Sequence, residues 1–124
     1  MNREEALGYL AGIIDGEGCI AYYPNSETYA GREVQIANTD KDIVKHVERC
    51  LEVLGIDCNI RVQHYPNKKS CYEIHITHRD NLLFIHDCVP LASQTKKDKL
   101  YAAVSSYKRK FRTGKKSTTR PEDW

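Results

Sequence analysis

Residues 7–18, with the sequence LGYLAGIIDGEG, constrain the fold more than any other part of the chain. In a helix, where successive side chains lie about 100° apart, their large apolar residues fall on one half and their small residues on the other. The large set is Leu7, Tyr9, Leu10, Ile13 and Ile14, and the small set is Gly8, Ala11, Gly12 and Gly16. The large set predicts a face that enters a hydrophobic core. Because each glycine costs a helix about 1 kcal/mol relative to alanine, the small set predicts close approach by the backbone of another helix.

The same stretch ends with an acidic residue between two glycines. Gly16 and Gly18 flank Glu17, and this pattern predicts that the helix stops and that the chain turns sharply into the apolar run 19–23. We therefore expect the Glu17 carboxylate at the foot of the small-residue face.

Further along the chain, the hydrophobic pattern predicts two β-hairpins separated by a second helix. The predicted helices are 3–16, 41–54, 81–89 and 97–111, and the predicted strands are 19–23, 32–38, 60–65 and 71–77. Apolar residues that alternate with polar ones should face the core, among them Ile60 and Val62 of the third strand. The same is expected of Tyr101 in the last helix. The order αββαββα is that of an α+β domain.

Length, charge and cysteine content limit the class of protein. A chain of 124 residues should form one domain, here 1–112, followed by a basic, flexible tail, 113–124. Residues 96–120 hold ten Lys and Arg and one acid, so they carry a formal +9 and the remainder −7. Such a segment is typical either of nucleic-acid binding or of a solvated face.

The cysteine pattern and the hydropathy pattern point to the same compartment. The five Cys form no C-x-x-C pair and match no zinc spacing, so buried thiols are the expected interpretation. The N-terminus has no signal-peptide pattern, and no apolar run approaches the roughly 20 residues that span a bilayer. We expect a protein that is not secreted and has no membrane partner, in the cytoplasm or in an organellar matrix or stroma.

Residues 10–18, LAGIIDGEG, resemble the signature of the LAGLIDADG homing endonucleases. The departures are Ile13 for Leu and the pair Gly16-Glu17 for Ala-Asp, and Glu17 keeps a carboxylate at the acidic position. The resemblance implies a four-stranded antiparallel, saddle-shaped sheet with helices on one face. With one motif per chain, it also implies a homodimer in which two motif helices lie side by side, in contact through Gly8, Ala11, Gly12 and Asp15.

The resemblance also implies catalytic residues and a cofactor. Each motif helix would present one acid to divalent metal at the scissile phosphates of DNA, so Glu17 is the expected metal ligand and the Gly16 carbonyl a secondary one. Mg²⁺ prefers oxygen ligands, and Mn²⁺ is the alternative ion. A polar residue at the end of the second strand and a basic residue before the last helix should lie nearby. By position these are Asn38, which could also be a turn residue, and either Lys96 or Lys97.

Polar residues on the outward face of the predicted sheet and at its hairpin tips are suited to DNA. Arg and Gln match base edges in the major groove, and Lys matches phosphates. The candidate DNA-binding residues are Arg32, Gln35, Arg61, Gln63, Tyr65, Lys68, Lys69, His75, Lys108, Lys110 and Arg112. The same alternation would also suit an ordinary solvated sheet.

The sequence therefore predicts a homodimeric, metal-dependent endonuclease. It would cut double-stranded DNA at a long pseudo-palindromic target that the β-sheet recognises, and it would have no small-molecule substrate. The alternative is a DNA- or RNA-binding protein on the same scaffold, such as an intron maturase or a regulator, that does not cleave. A small interaction domain that only dimerises would leave the basic segment unexplained.

Overall fold

The computed structural model describes residues 1–23 and 31–112, and its side-chain description ends at Tyr107. The elements in chain order are α1 (Arg3–Glu17), β1 (Gly18–Tyr22), β2 (Arg32–Asn38), α2 (Lys41–Leu54), β3 (Asn59–Gln63), β4 (Cys71–Ile76), α3 (Arg79–Cys88) and α4 (Gln94–Arg112). This order confirms the predicted α+β domain, with two helices after the second hairpin. The predicted tail, 113–124, lies outside the described residues, as do the side chains of Lys108, Lys110 and Arg112.

The first two helices begin with side-chain caps. At α1, the Asn2 side chain accepts a hydrogen bond from the Glu5 N–H at 2.8 Å, and the Glu5 carboxylate accepts one from the Asn2 N–H at 2.8 Å. This reciprocal pair satisfies two N–H groups that a helix start leaves without partners. At α2, Asp40 accepts from the Asp42 N–H, and Gly55 ends the helix with a φ of 76°. That left-handed conformation suits glycine, so the stop predicted at Gly55 has a physical basis.

The four strands form one antiparallel sheet in the order β1-β2-β4-β3. Alternate residues of the strands point to the helices, so Ile20, Val34, Ile36, Ile74 and Ile76 are buried in the core. The central pair, β2 and β4, aligns Gln35 opposite His75 and Ile36 opposite Ile74. The odd-numbered residues of these two strands therefore lie on the opposite, polar face of the sheet.

The prediction that the apolar residues of the third strand face the core is wrong. Ile60 and Val62 are 38% and 42% exposed, because the described helices pack mainly on β1, β2 and β4 and leave the edge strand β3 largely uncovered. Two helical tyrosines were also expected in the core and are exposed. Tyr9 instead places its ring edge against the His46 ring on α2, with centroids 4.4 Å apart, and Tyr101 lies near His86 on α3.

Among the described residues, no helix is both long enough and apolar enough to cross a membrane.

Candidate nucleic-acid interface and metal site

Glu17 is the last residue of α1, and its side chain is exposed at the point where the chain passes directly into β1. The turn depends on the lack of a side chain at Gly18 and not on its backbone conformation, since its φ is −82°. A Cβ at Gly18 would lie 2.7 Å from the Ile14 carbonyl oxygen and 2.8 Å from the Ile14 Cα. Both atoms belong to the backbone, so a side chain here would push the strand away from the helix end. Gly18 thus fixes where Glu17 stands.

Asn38, at the end of β2, brings a polar side chain to Glu17. Its Nδ2 donates a hydrogen bond to Oε1 of Glu17, and its Oδ1 accepts one from the Asp40 N–H at 2.7 Å. The two sequence interpretations of Asn38, a residue near the acidic site and a turn residue, therefore describe the same side chain. One end of the amide holds the turn into α2, and the other end orients the carboxylate.

Lys96, rather than Lys97, reaches this end of α1. Its Nζ donates to the carbonyl oxygens of Ile14 at 2.8 Å and of Asp15 at 2.6 Å. The last carbonyls of a helix lack intrahelical partners and carry a partial negative charge, and α1 has no basic residue in its own last turn. Lys96 supplies that cation from the start of α4. The Gly16 carbonyl takes no part in these bonds, and it lies beside Glu17.

Asp15 has a structural role within the chain. Its carboxylate accepts backbone N–H bonds from Ala92 at 2.8 Å and from Ser93 at 3.0 Å, in the segment that leads into α4. These two bonds, helped by the positive charges of Lys96 and Lys97, lower the pKa of Asp15 below its ordinary value. The carboxylate that was assigned to a dimer interface is therefore engaged by its own loop.

The small-residue face of α1 is open in part. Gly8, Gly12 and Gly16 are exposed, and a Cβ added at any of them would meet nothing within 4 Å. Ala11 does not belong to this face, because it is buried in the chain's own core and cannot contact a partner as predicted. The open face is thus a row of three glycines at four-residue spacing that ends next to Glu17.

One chain offers too few ligands for a metal ion at this place. Within residues 1–23 and 31–112, no group of three or more His, Cys, Asp or Glu side chains could hold a metal ion. Glu17 and the Gly16 carbonyl provide hard oxygen donors of the kind that Mg²⁺ prefers. The donor set suits such an ion, but it needs oxygens from outside the chain to be complete.

The polar face of the sheet and the loop after β3 hold most of the predicted DNA-binding residues. The β-sheet register places Gln35, Arg61 and Gln63 on the face away from the helices. In the exposed 64–70 loop, the Lys68 ammonium lies 5.9 Å from the centre of the Tyr65 ring. Lys69 lines an open polar cleft of about 600 Å³ together with Lys41 and Thr39, the residue after Asn38.

Arg32 was predicted to bind DNA and does not lie on that surface. Its side chain is buried, its Nε donates to Ser106 Oγ at 2.6 Å, and its guanidinium lies 4.5 Å from the centre of the Tyr107 ring. These contacts satisfy the Nε donor, place the positive charge against an aromatic face and fasten α4 to the start of β2.

His75 was also predicted to contact DNA, and it lies on the polar face but is only 5% exposed. Glu33 and Glu73 flank its ring, and their carboxylates cover it. The DNA-binding prediction omitted both glutamates, although the alternation of the strands placed them on the outward face. The structure therefore puts two acids, not an imidazole, at the surface of the central strands.

The five cysteines are free thiols, and the prediction that they are buried is right only for Cys50. Cys58 and Cys71 are half-buried, and Cys19 and Cys88 are exposed. Burial raises the pKa of Cys50 and of Cys58, and nearby Glu48 adds to the effect at Cys58. Both thiols are therefore poor nucleophiles and poor metal ligands.

The sequence matches a known protein family. The family model described as LAGLIDADG-like domain matches residues 4–88, which is more than half of the chain. The chain therefore belongs to the LAGLIDADG family. It is also 27% identical over 77 residues to the uncharacterized protein MJ0314 of Methanocaldococcus jannaschii, an alignment that covers 61% of this chain and 27% of that protein.

Two solved homing endonucleases share the fold. I-CvuI, in complex with the I-CreI target, matches with a TM-score of 0.56 at 16% identity over 83% of this chain and 66% of that chain. The group I intron-encoded I-CeuI, complexed with DNA, matches with a TM-score of 0.51 at 18% identity over 88% of this chain and 56% of that chain. This chain thus spans less than two thirds of each of these relatives.

Proposed function

We propose that this protein is a site-specific DNA endonuclease that acts as a homodimer and uses divalent metal, Mg²⁺ or Mn²⁺. The observation that carries the proposal is the exposed Glu17 carboxylate, held by Asn38 at the end of a helix whose outer face is a row of bare glycines. Its place in the LAGLIDADG family supports the same function.

The glycine row supports a dimer through α1. A helix face formed by Gly8, Gly12 and Gly16 has no side chains to keep another backbone away, and it costs the isolated helix stability. If two copies pack through this face, the two Glu17 carboxylates meet near the symmetry axis. That arrangement would supply a second carboxylate, which the described part of one chain does not place beside Glu17.

Charge at the helix ends favours a cation in such a dimer. Two helix C-termini and two carboxylates would bring negative charge together, and the Lys96 ammonium of each chain offsets only part of it. In this proposal Glu17 and the Gly16 carbonyl hold the ion, and DNA phosphate oxygens complete its ligands. A bound divalent ion would stabilise the charge that develops on the phosphate during hydrolysis and would lower the pKa of a water nucleophile.

The other residues of the proposed site orient the Glu17 carboxylate or offset negative charge. Asn38 fixes the direction of the Glu17 carboxylate through one end of its amide. Lys96 stabilises the end of α1 and keeps a positive charge close to where the phosphate would lie. In this proposal Lys41 and Lys69, which line one cleft beside Asn38, contact phosphates of the DNA backbone.

DNA is the proposed substrate because the sheet surface and the solved relatives agree. The polar face carries Gln35, Arg61 and Gln63, which match base edges in the major groove. Both solved homing endonucleases were determined with a DNA target. A dimer would read two half-sites and therefore a long pseudo-palindromic target.

Selection from a randomised duplex library tests this function. The protein should enrich one pseudo-palindromic sequence in Ca²⁺ and cut that sequence in Mg²⁺ or Mn²⁺ but not in EDTA. Enrichment without cleavage in any of these ions would contradict the endonuclease and favour a binding protein on the same scaffold. A lack of any enriched sequence would contradict site-specific recognition.

A further inference from the structure

Three side chains form a tight polar cluster at the centre of the sheet's polar face. The His75 Nδ1 lies 3.3 Å from both carboxylate oxygens of Glu33, and its Nε2 lies 3.0 Å from Oε1 of Glu73. The side chains of Glu33 and Glu73 are each 19% exposed to solvent, whereas that of His75 is 5% exposed. The acids therefore form the surface, and the imidazole lies between them.

Two carboxylates are an unexpected choice for a surface that binds DNA. Phosphates repel them, and a carboxylate that is desolvated without a donor loses the hydrogen bonds it made to water. Such a cost is offset where the DNA presents a hydrogen-bond donor. Each ionised carboxylate has about four lone-pair sites, so the contact to His75 leaves acceptor capacity on both acids.

Only some bases present a donor in the major groove. Guanine and thymine present acceptors to a carboxylate, which repel it. Adenine presents an N6 amino donor beside its N7 acceptor, so it is matched by a group with both a donor and an acceptor. Cytosine presents its N4 amino group as a donor, with no acceptor of its own at that edge. A carboxylate therefore selects cytosine over the other three bases.

We propose that Glu33 and Glu73 determine sequence specificity by selecting cytosine at two positions of each half-site, with His75 as the positioning residue that holds both carboxylates. The inference depends on the proposed DNA recognition, and it assigns a base preference to residues of this chain. The sheet register supports it, because His75 lies opposite Gln35 on one side and Asn59 on the other, in the middle of the polar face.

His75 is suited to the positioning role because each of its ring nitrogens faces a carboxylate, Nδ1 that of Glu33 and Nε2 that of Glu73. It connects β4 to β2 through Glu33, it contacts Glu73 on its own strand, and it is too deeply covered to reach a base itself. Its loss should free both carboxylates to rotate, and the preference should then weaken at both positions together. A loss of general affinity alone would not produce that pattern.

The test is selection of bound sequences from a randomised duplex library in Ca²⁺, with four variants compared to the wild type. They are Glu33→Gln, Glu73→Gln, His75→Asn and, as a matched control on the exposed surface of α2, Glu52→Gln. The wild type should enrich cytosine about tenfold at each of the two positions, which corresponds to a contact near the lower end of those measured for base readout. Each of the two sheet glutamine variants should change its own position from cytosine to adenine, because an amide matches the N6 and N7 pattern of adenine.

The remaining outcomes separate the inference from the proposed function. His75→Asn should lower the cytosine preference at both positions, and Glu52→Gln should keep the wild-type profile. If Glu33→Gln and Glu73→Gln both selected the wild-type sequence, the cluster would be structural and the inference would be overturned while the proposed function stood. If the wild type enriched no sequence, the proposed recognition itself would fail. Because glutamine has the size of glutamate, these two variants decide the inference even where His75→Asn loses the fold.

Discussion

The side-chain amide of Asn38 joins the Glu17 carboxylate to the turn that starts α2, since its Nδ2 donates to Glu17 and its Oδ1 accepts from the Asp40 N–H. The end of α1 and the end of β2 are thus connected through one side chain. A residue that only capped a helix would not need to contact the acid.

Asn38→Ala should lower the rate of DNA cleavage by about 10–100-fold, the usual cost of losing a group that orients a metal ligand. Loss of the turn bond should also lower the free energy of unfolding by about 1 kcal/mol. Single-turnover cleavage in Mg²⁺ and binding in Ca²⁺ should be measured side by side. A variant that lost binding and cleavage in equal proportion would show that Asn38 acts only through the fold.

Gly18→Ala should destabilise the protein by about 1–3 kcal/mol, because the new Cβ would overlap backbone atoms of Ile14 that cannot move freely. Gly16→Ala is the matched control, and both changes are made in the Gly12→Leu background, in which the proposed dimer contact at Gly16 is already broken. It adds the same atom two residues earlier in the same turn, where nothing lies within 4 Å, and should change the free energy of unfolding by no more than about 1 kcal/mol. Urea denaturation of both variants measures the difference. Equal stabilities would mean that the junction of α1 and β1 can relax.

Gly12→Leu should break the dimer without unfolding the chain. Among the described residues outside its own turn of α1, nothing lies within 4 Å of the added Cβ, so the fold should tolerate the side chain, whereas a partner helix packed on this face would be overpacked. Sedimentation equilibrium should show a dimer for the wild type and a monomer for the variant. Lys45→Leu, on the exposed surface of α2, is the control and should stay dimeric. A wild type that is monomeric even with its DNA target would contradict the interface.

The Asp15 carboxylate should make the free energy of unfolding depend on pH. Its pKa is lowered from 3.8, mainly by the N–H bonds from Ala92 and Ser93, so folding favours the ionised carboxylate. The stabilisation is present at neutral pH and is lost as the pH falls below about 4, where the unfolded chain takes up the proton first. Asp15→Asn should therefore be less stable than the wild type at pH 7, and the two should converge toward pH 3. Thermal unfolding in EDTA measures this, and a pH-independent difference would contradict it.

The elements that were predicted most accurately carry strong local signals. The bounds of β2 and α2 agree with the sequence pattern residue by residue, because strict alternation marks the strand and Asp40 and Gly55 mark the ends of the helix. The third strand has similar alternation, and yet Ile60 and Val62 are exposed. Alternation shows that a strand has two different faces, but it does not show whether a helix covers the apolar one.

The position of Glu17 at the end of α1 was predictable, and the contacts around it were less so. The helix pattern, the flanking glycines and the resemblance all single out this residue, and its role as a metal ligand stays a prediction. The bonds that Arg32 donates to Ser106 and that Ala92 donates to Asp15 span 74 and 77 residues, so no local pattern predicts them. For the same reason His75 was assigned to the DNA surface, although Glu33, 42 residues away, covers it. Polar residues on a strand face are predictable, but the partners that they choose depend on the folded sheet.

Cleavage of DNA by the Glu17→Gln variant tests most directly whether Glu17 is the metal ligand of an endonuclease. Glutamine keeps the shape of the side chain and its contact with Asn38, but it removes the negative charge that would bind a divalent ion. The measurement pairs cleavage of the selected duplex in Mg²⁺ with binding of the same duplex in Ca²⁺. The account predicts that cleavage is lost while binding is kept or strengthened, because two like charges near the phosphates of a dimer-bound target are removed. Cleavage at the wild-type rate would contradict the assignment of Glu17 as the metal ligand.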